Sequence, residues 1–116
     1  MEWAHYKKLI AWQKAMDLTD EIYRLVKYLP AEERFALSDQ MRRSAVSVPS
    51  NIAEGYGRHT ENEFKKYLAI ARGSVFELET QLTICQRQSF LSEDQIKRAV
   101  FLCDELGRML TALSKH

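Results

Sequence analysis

Apolar residues recur along four stretches at the three-and-four spacing of helices that face a core, and no stretch alternates as a half-buried strand would. In residues 6–29 the stripe is Leu9, Trp12, Met16, Thr19, Tyr23 and Val26, widened by Ala15, Ile22 and Leu29, and Pro30 ends it. A connector, PAEERFAL, leads to Ser38, which has the chemistry of an N-cap. From there to Gly55 the repeat is Met41, Ala45, Val48 and Ile52, with Leu37 just before it. Pro49 interrupts this run, yet the apolar period continues across it, so the pattern predicts one helix kinked at the proline rather than two short ones. Gly55 and Gly57 are its expected C-terminal stop.

Thr60 and Glu63 form a capping-box pattern at the head of a third helix. Phe64, Leu68, Ala71, Val75, Leu78, Leu82 and Cys85 follow at alternating spacings of four and three, the cleanest repeat in the chain. A second capping-box pattern, Ser92 with Gln95, opens a fourth helix carrying Ile96, Val100, Cys103, Leu106, Leu110 and Leu113. Four helices joined by short connectors predict an all-α fold: an antiparallel up-down-up-down four-helix bundle, one domain over residues 1–116. Pro30, Gly55–Gly57 and Ser89–Ser92 break the pattern three times, which argues against a single long coiled coil.

Composition narrows the chemistry. The chain is 46% hydrophobic and carries 17 basic against 16 acidic residues, a formal net charge of +1. Such a chain is not disordered, and it offers no bulk charge for non-specific nucleic-acid binding. No apolar run approaches the ~20 residues that span a bilayer, and the N-terminal stretch has no signal-peptide pattern. Cys85 and Cys103 fall on apolar stripes and read as reduced core thiols, which points to the cytoplasm.

A four-helix bundle invites a test for a di-iron site, which needs two Glu-x-x-His motifs and two further inward carboxylates. Only Glu2-Trp3-Ala4-His5 matches, at the terminus; the other histidines are His59 and His116. Gly55-Tyr56-Gly57 follows a helix and lacks a third glycine, so it is a helix stop rather than a phosphate loop. No metal, cofactor, small-molecule substrate or catalytic grouping is expected.

Residues 40–58 are harder to explain as core. Ser44, Ser47, Ser50, Asn51 and Glu54 crowd a segment that also has to pack, and Ser47, Asn51 and Glu54 share one ridge. Pro49 removes the donor that the Ala45 carbonyl would use, which gives nearby hydroxyls and amides a structural task. The third helix has a counterpart in Gly73, Ser74 and Glu77. A mid-helix glycine costs ~1 kcal/mol against alanine, so Gly73 suggests a close backbone approach, with the second helix as neighbour. The ridge therefore reads as a hydrogen-bonded seam or as a subunit contact or ligand ledge.

These residues carry a resemblance. Arg43 through Gly55, read as R-x-x-x-S-V-P-S-N-I-A-E-G with Gly57-Arg58 behind it, is similar to the hallmark of the 23S rRNA intervening-sequence proteins, also called the four-helix-bundle protein family. Glu63-Phe64, the run Leu68–Ser74 and Glu77-Leu78-Glu79 fit the same pattern, as do Trp12 and Leu29-Pro30. The resemblance implies a four-helix bundle assembled into a homopentamer, with no established enzymatic activity. Relatives include proteins encoded within ribosomal RNA insertions. They also include the accessory protein of diversity-generating retroelements, thought to bind nucleic acid and a reverse transcriptase through a basic surface. Gln88-Ser89-Phe90 lacks the glycine often seen in the third loop, and the near-neutral charge departs from a nucleic-acid binder.

Arg42, Arg43, Arg58, Lys65, Lys66 and Arg72 are the candidate phosphate contacts. The competing assignment pairs them with Glu54, Glu61, Glu63 and Glu77. The expected function is a homo-oligomeric adaptor that binds RNA or a nucleic-acid enzyme. Its rival is a protein–protein module with no nucleic-acid role.

Overall fold

The computed structural model describes residues 5–115; the Glu2-to-His5 motif, Trp3 and His116 lie at or beyond the limits of what is described. A short 3-10 turn, His5–Lys8, precedes four helices: α1 Ile10–Val26, α2 Leu37–Tyr56, α3 Glu61–Arg87 and α4 Glu93–Ser114. A second 3-10 turn, Ala31–Glu33, lies between α1 and α2. At 1.5 Å per residue the 27 residues of α3 run about 40 Å. That nearly fills the 44 Å long axis of the molecule.

Each helix packs against its chain neighbours, α1 also meets α4, and the diagonal pairs do not approach. The most extensive pairing is α2 with α3. Met41 lies against Cys85, Ser44 against Gln81, Ser47 against Ser74 and Gly55 against Tyr67, so α3 numbers fall as α2 numbers rise. These two helices therefore run in opposite directions. The interior is Leu18, Ile22 and Leu25 of α1, Met41, Val48 and Ile52 of α2, the full α3 repeat from Leu68 to Cys85, and Leu102, Leu106 and Leu110 of α4.

Helix α1 and its flanks bury Ala15, Ile22, Val26 and Leu29 of the expected stripe and half-bury Leu9, Trp12 and Thr19, but two positions of it turn outward. Met16 and Tyr23 are exposed, while Ala11, Ala15, Leu18, Ile22 and Leu25 are buried. The buried face is therefore shifted only in part, toward Leu18 and Leu25, where α2 and α4 pack on α1. In α4, Val100 is exposed and Ala99 and Leu102 pack instead.

Two helix ends differ from the expectation. Helix α2 begins at Leu37 with Ala36 as an N-cap that offers no side-chain bond. Ser38 therefore lies inside the first turn and is not the cap. Gly55 is internal to α2, and Gly57 caps the C-terminus at φ −85°, a conformation open to any residue. Helix α2 continues unbroken through Pro49. At the head of α3, Thr60 accepts from Glu63 N at 3.1 Å, half of a capping box. At α4 the box is complete: Ser92 N donates to Gln95 Oε1 at 2.8 Å and Gln95 N to Ser92 Oγ at 3.1 Å. The position needing glycine-like freedom is Ser89, at φ 63°. It closes α3 in a Schellman turn, with Phe90 N on Cys85 O at 2.8 Å and Ser89 N on Gln86 O at 3.1 Å.

Both cysteines are buried and unpaired. Burial, with Glu33 adding to it, pushes the Cys85 thiol up from an ordinary 9.0 to about 11. Burial and Glu79 push Cys103 up to about 12. A disulfide reagent is therefore expected to react with neither thiol until the bundle unfolds, as thiol labelling with and without denaturant checks. Alkali is expected to destabilise the bundle. Unfolded thiols ionise near 9.0 and folded ones near 11 and 12. Stability linked to them is thus complete below pH 9.0 and falls as pH rises through that interval.

Candidate nucleic-acid interface and the seam behind it

Pro49 leaves Ala45 O without its usual donor, and the remedy comes from another helix. Thr19 Oγ1 stands 2.9 Å from Ala15 O and 3.2 Å from Ala45 O, so the hydroxyl reaches the orphaned carbonyl and ties α1 to α2. Beside it runs a polar seam between α2 and α3. Asn51 Nδ2 donates to Ser47 O at 2.8 Å and to Ser47 Oγ at 2.9 Å. Ser74 Oγ donates to Ser47 Oγ at 2.8 Å. Further along, the buried Gln81 donates through Nε2 to Ser44 Oγ at 3.1 Å, and Gln81 Oε1 is sealed without a partner.

Three residues expected in this seam are elsewhere. Glu54 is an exposed carboxylate, paired with Arg58 at 2.6 Å. Glu77 is exposed. Gly73 is exposed, and a Cβ there would meet nothing within 4 Å, so it makes no close approach to α2. The tight glycine is Gly55, where a Cβ would sit 3.2 Å from Tyr67 Cβ and 3.4 Å from Phe64 O. Gln81 takes the part assigned to Glu77. It lies seven residues beyond Ser74, two turns along the same face, which is the signal that could have revealed it. Replacing Asn51 by Ala removes two hydrogen bonds from a half-buried site while Ser74 still serves Ser47, so the expected loss is about 1 kcal/mol in thermal or urea unfolding.

Of the six candidate cations, three are engaged by carboxylates one helical turn away: Arg43 with Asp39 at 2.9 Å, Arg58 with Glu54 at 2.6 Å, and Lys65 with Glu61 at 3.3 Å. Arg58 also donates to Tyr67 OH at 2.7 Å and lies 4.8 Å from that ring's centroid, which makes it a clasp across the α2–α3 turn. Arg42 donates to Arg34 O at 3.3 Å. Lys66 and Arg72 make no ion pair with any described residue, and Arg72 stacks over Phe76 at 4.9 Å. The six form no single patch. Arg58 lies sixteen residues beyond Arg42, about 24 Å along the line of α2.

Arg72 and Phe76 open onto a groove of 510 Å³ between α3 and α4, shared with Glu79, Asp104, Gly107 and Arg108. Burial and the neighbouring Asp104 push the Glu79 carboxyl above its ordinary range. Arg108 is held by Asp104 at 2.6 Å. Among the described residues no three of His, Cys, Asp and Glu converge to hold a metal. Among them, too, no helix is long and apolar enough to cross a membrane.

These features define an all-α four-helix bundle whose second and third helices are joined by a serine–asparagine–glutamine seam. The chain belongs to the 23S rRNA-intervening sequence protein family, matched over residues 7–112. It is also similar to a solved protein of unknown function from the S23 ribosomal protein family of Bacteroides thetaiotaomicron VPI-5482, with 25% identity and a TM-score of 0.85 over 92% of this chain and 100% of that one. No curated protein matches the chain significantly.

Proposed function

We propose that the chain is a non-catalytic, self-associating cytoplasmic adaptor that binds RNA, with a homopentamer as the assembly the family resemblance implies. The observation that carries this reading is what the finished bundle leaves outside: Tyr23, Tyr28, Phe35, Ile70, Phe76 and Phe101 remain exposed after all four helices have packed. Exposed aromatic and aliphatic side chains are available for contact with other macromolecules. Exposed aromatics together with the cations Lys66 and Arg72, which no described carboxylate engages, are the groups that hold RNA bases and phosphates.

The test is light scattering joined to an RNA titration across salt concentration. Wild-type chain is expected to run above monomer mass and to lose RNA affinity as salt rises. Replacing Lys66 and Arg72 by Ala is expected to lower the salt slope by roughly 0.7–0.9 for each phosphate those cations neutralise in the wild type. Replacing Arg58 and Lys65 removes cations already engaged by carboxylates and is expected to change the slope less. A second reading, a protein-only adaptor, draws on the ion pairs that occupy Arg43, Arg58 and Lys65. It predicts no RNA binding by the wild type even at low salt, and partner capture that survives nuclease.

A further inference from the structure

The corner between α1 and α2 forms a pocket of 370 Å³ lined by Lys27, Arg34, Arg42 and Ser38 and by apolar residues of the α1–α2 connection, and no described carboxylate lines it. We infer that this pocket binds a phosphate monoester, the chemistry of an inorganic phosphate or of the terminal phosphate on a nucleic-acid strand.

Three observations carry the inference. The first is the head of α2. This 20-residue helix has no side-chain cap on its N-terminus. Its first bond back is Gln40 N to Ala36 O at 3.0 Å, which leaves the amides of Leu37, Ser38 and Asp39 ahead of the intrahelical ladder. Of these three residues Ser38 lines the pocket, and amides at the positive end of a helix dipole receive oxyanions.

The second is Ser38 itself. It is only 4% exposed and lines the pocket, yet its hydroxyl makes no hydrogen bond to any described residue. A buried hydroxyl ordinarily finds a partner. Among the described residues the side-chain atoms sealed from solvent without a hydrogen bond are Gln81 Oε1 and Glu105 Oε1, the latter ion-paired with Lys14 at 3.3 Å, and Ser38 Oγ is not among them. Its open side is therefore the pocket.

The third is charge. Lys27 comes from the end of α1, Arg34 from the connector and Arg42 from the second turn of α2, and Arg42 is fixed by its bond to Arg34 O at 3.3 Å. Asp39, the acid in the first turn of α2, is taken up by Arg43 at 2.9 Å. Three cations with a helix N-terminus suit the dianion of a monoester better than the single charge of a diester.

Inorganic phosphate titrated into the full-length, isotope-labelled chain at constant ionic strength is the direct test. The Leu37, Ser38 and Asp39 amide resonances are expected to move together and saturate with a Kd at or below about 1 mM. Ser38→Ala and Arg42→Gln are each expected to weaken that binding by about tenfold with helical content unchanged. Lys27→Gln, an exposed position, provides a variant whose folding is not in question and is expected to weaken binding as well. Absence of a saturable shift up to about 10 mM, or binding indifferent to all three variants, overturns the site.

A parallel titration uses one single-stranded RNA bearing either a terminal phosphate or a terminal hydroxyl. Tighter binding of the phosphorylated strand, weakened in Ser38→Ala, assigns the site to RNA ends. Saturable inorganic phosphate binding with no RNA binding keeps the site and removes RNA from the proposed function. RNA binding without phosphate discrimination and without inorganic phosphate binding does the reverse.

Discussion

Replacing Leu78 by Ala is expected to lower the unfolding free energy by roughly 2–5 kcal/mol, the range for truncating a fully buried leucine. Leu78 is 0% exposed and stands in the middle of α3, the helix that packs on both α2 and α4. The cost has two parts: methylenes removed from an apolar surrounding, and a cavity between helices that are each held elsewhere along their length. Helix α3 is pinned to α2 on either side of this point by Ser74 on Ser47 and by Gln81 on Ser44, so collapse around the void is restricted. In a domain of this size the loss corresponds to a fall in Tm of roughly 8–20 °C. Differential scanning calorimetry at several protein concentrations checks it, because self-association also raises Tm by mass action. A change below about 1 kcal/mol would mean that the α3 repeat does not carry the core.

The α3 repeat is legible in the sequence because every position of the repeat from Leu68 to Cys85 is apolar at one strict spacing and most of the positions between are polar. Helix α1 is legible as a helix and in part of its buried face. Ala15, Ile22, Val26 and Leu29 are buried as the spacing predicts, whereas Met16 and Tyr23 turn outward and Ala11, Leu18 and Leu25 pack, a choice that only the positions of α2 and α4 make. Periodicity reports that a side is apolar; it does not report which side a neighbour occupies.

The candidate site divides in the same way. Ser47, Asn51 and Ser74 are recoverable because they are short polar residues at helical spacing beside an apolar ridge. Glu54 shares that spacing, but its carboxylate has an arginine four residues on and solvent beside it, so it turns outward. Thr19 carries no such signal. Its role depends on a proline in another helix, which frees Ala45 O, and on α1 bringing the Thr19 hydroxyl over that carbonyl. The ion pairs, by contrast, are visible in the letters: Asp39 with Arg43, Glu54 with Arg58 and Glu61 with Lys65 are all four apart. The pocket at the α1–α2 corner is not, because Lys27, Arg34 and Arg42 belong to three segments that only the turn assembles.

Gly55→Val is expected to destabilise the bundle by at least about 1–3 kcal/mol, the cost of overpacking a filled interior. A Cβ at this position already meets Tyr67 Cβ at 3.2 Å and Phe64 O at 3.4 Å. Neither is the loose end of a side chain: one is fixed to the α3 backbone and the other is part of it. Valine adds two methyl groups to that contact, so α2 and α3 must separate at the turn where Arg58 clasps Glu54 and Tyr67. Gly73→Ala is the matched control. It makes the same kind of change in a helix interior, and a Cβ there meets nothing within 4 Å. Only the propensity gain remains, about 1 kcal/mol of added stability. Urea unfolding of the two variants beside the wild type is therefore expected to move the midpoint in opposite directions. Equal shifts would show that backbone propensity, and not the close approach of α2 to α3, governs both glycines.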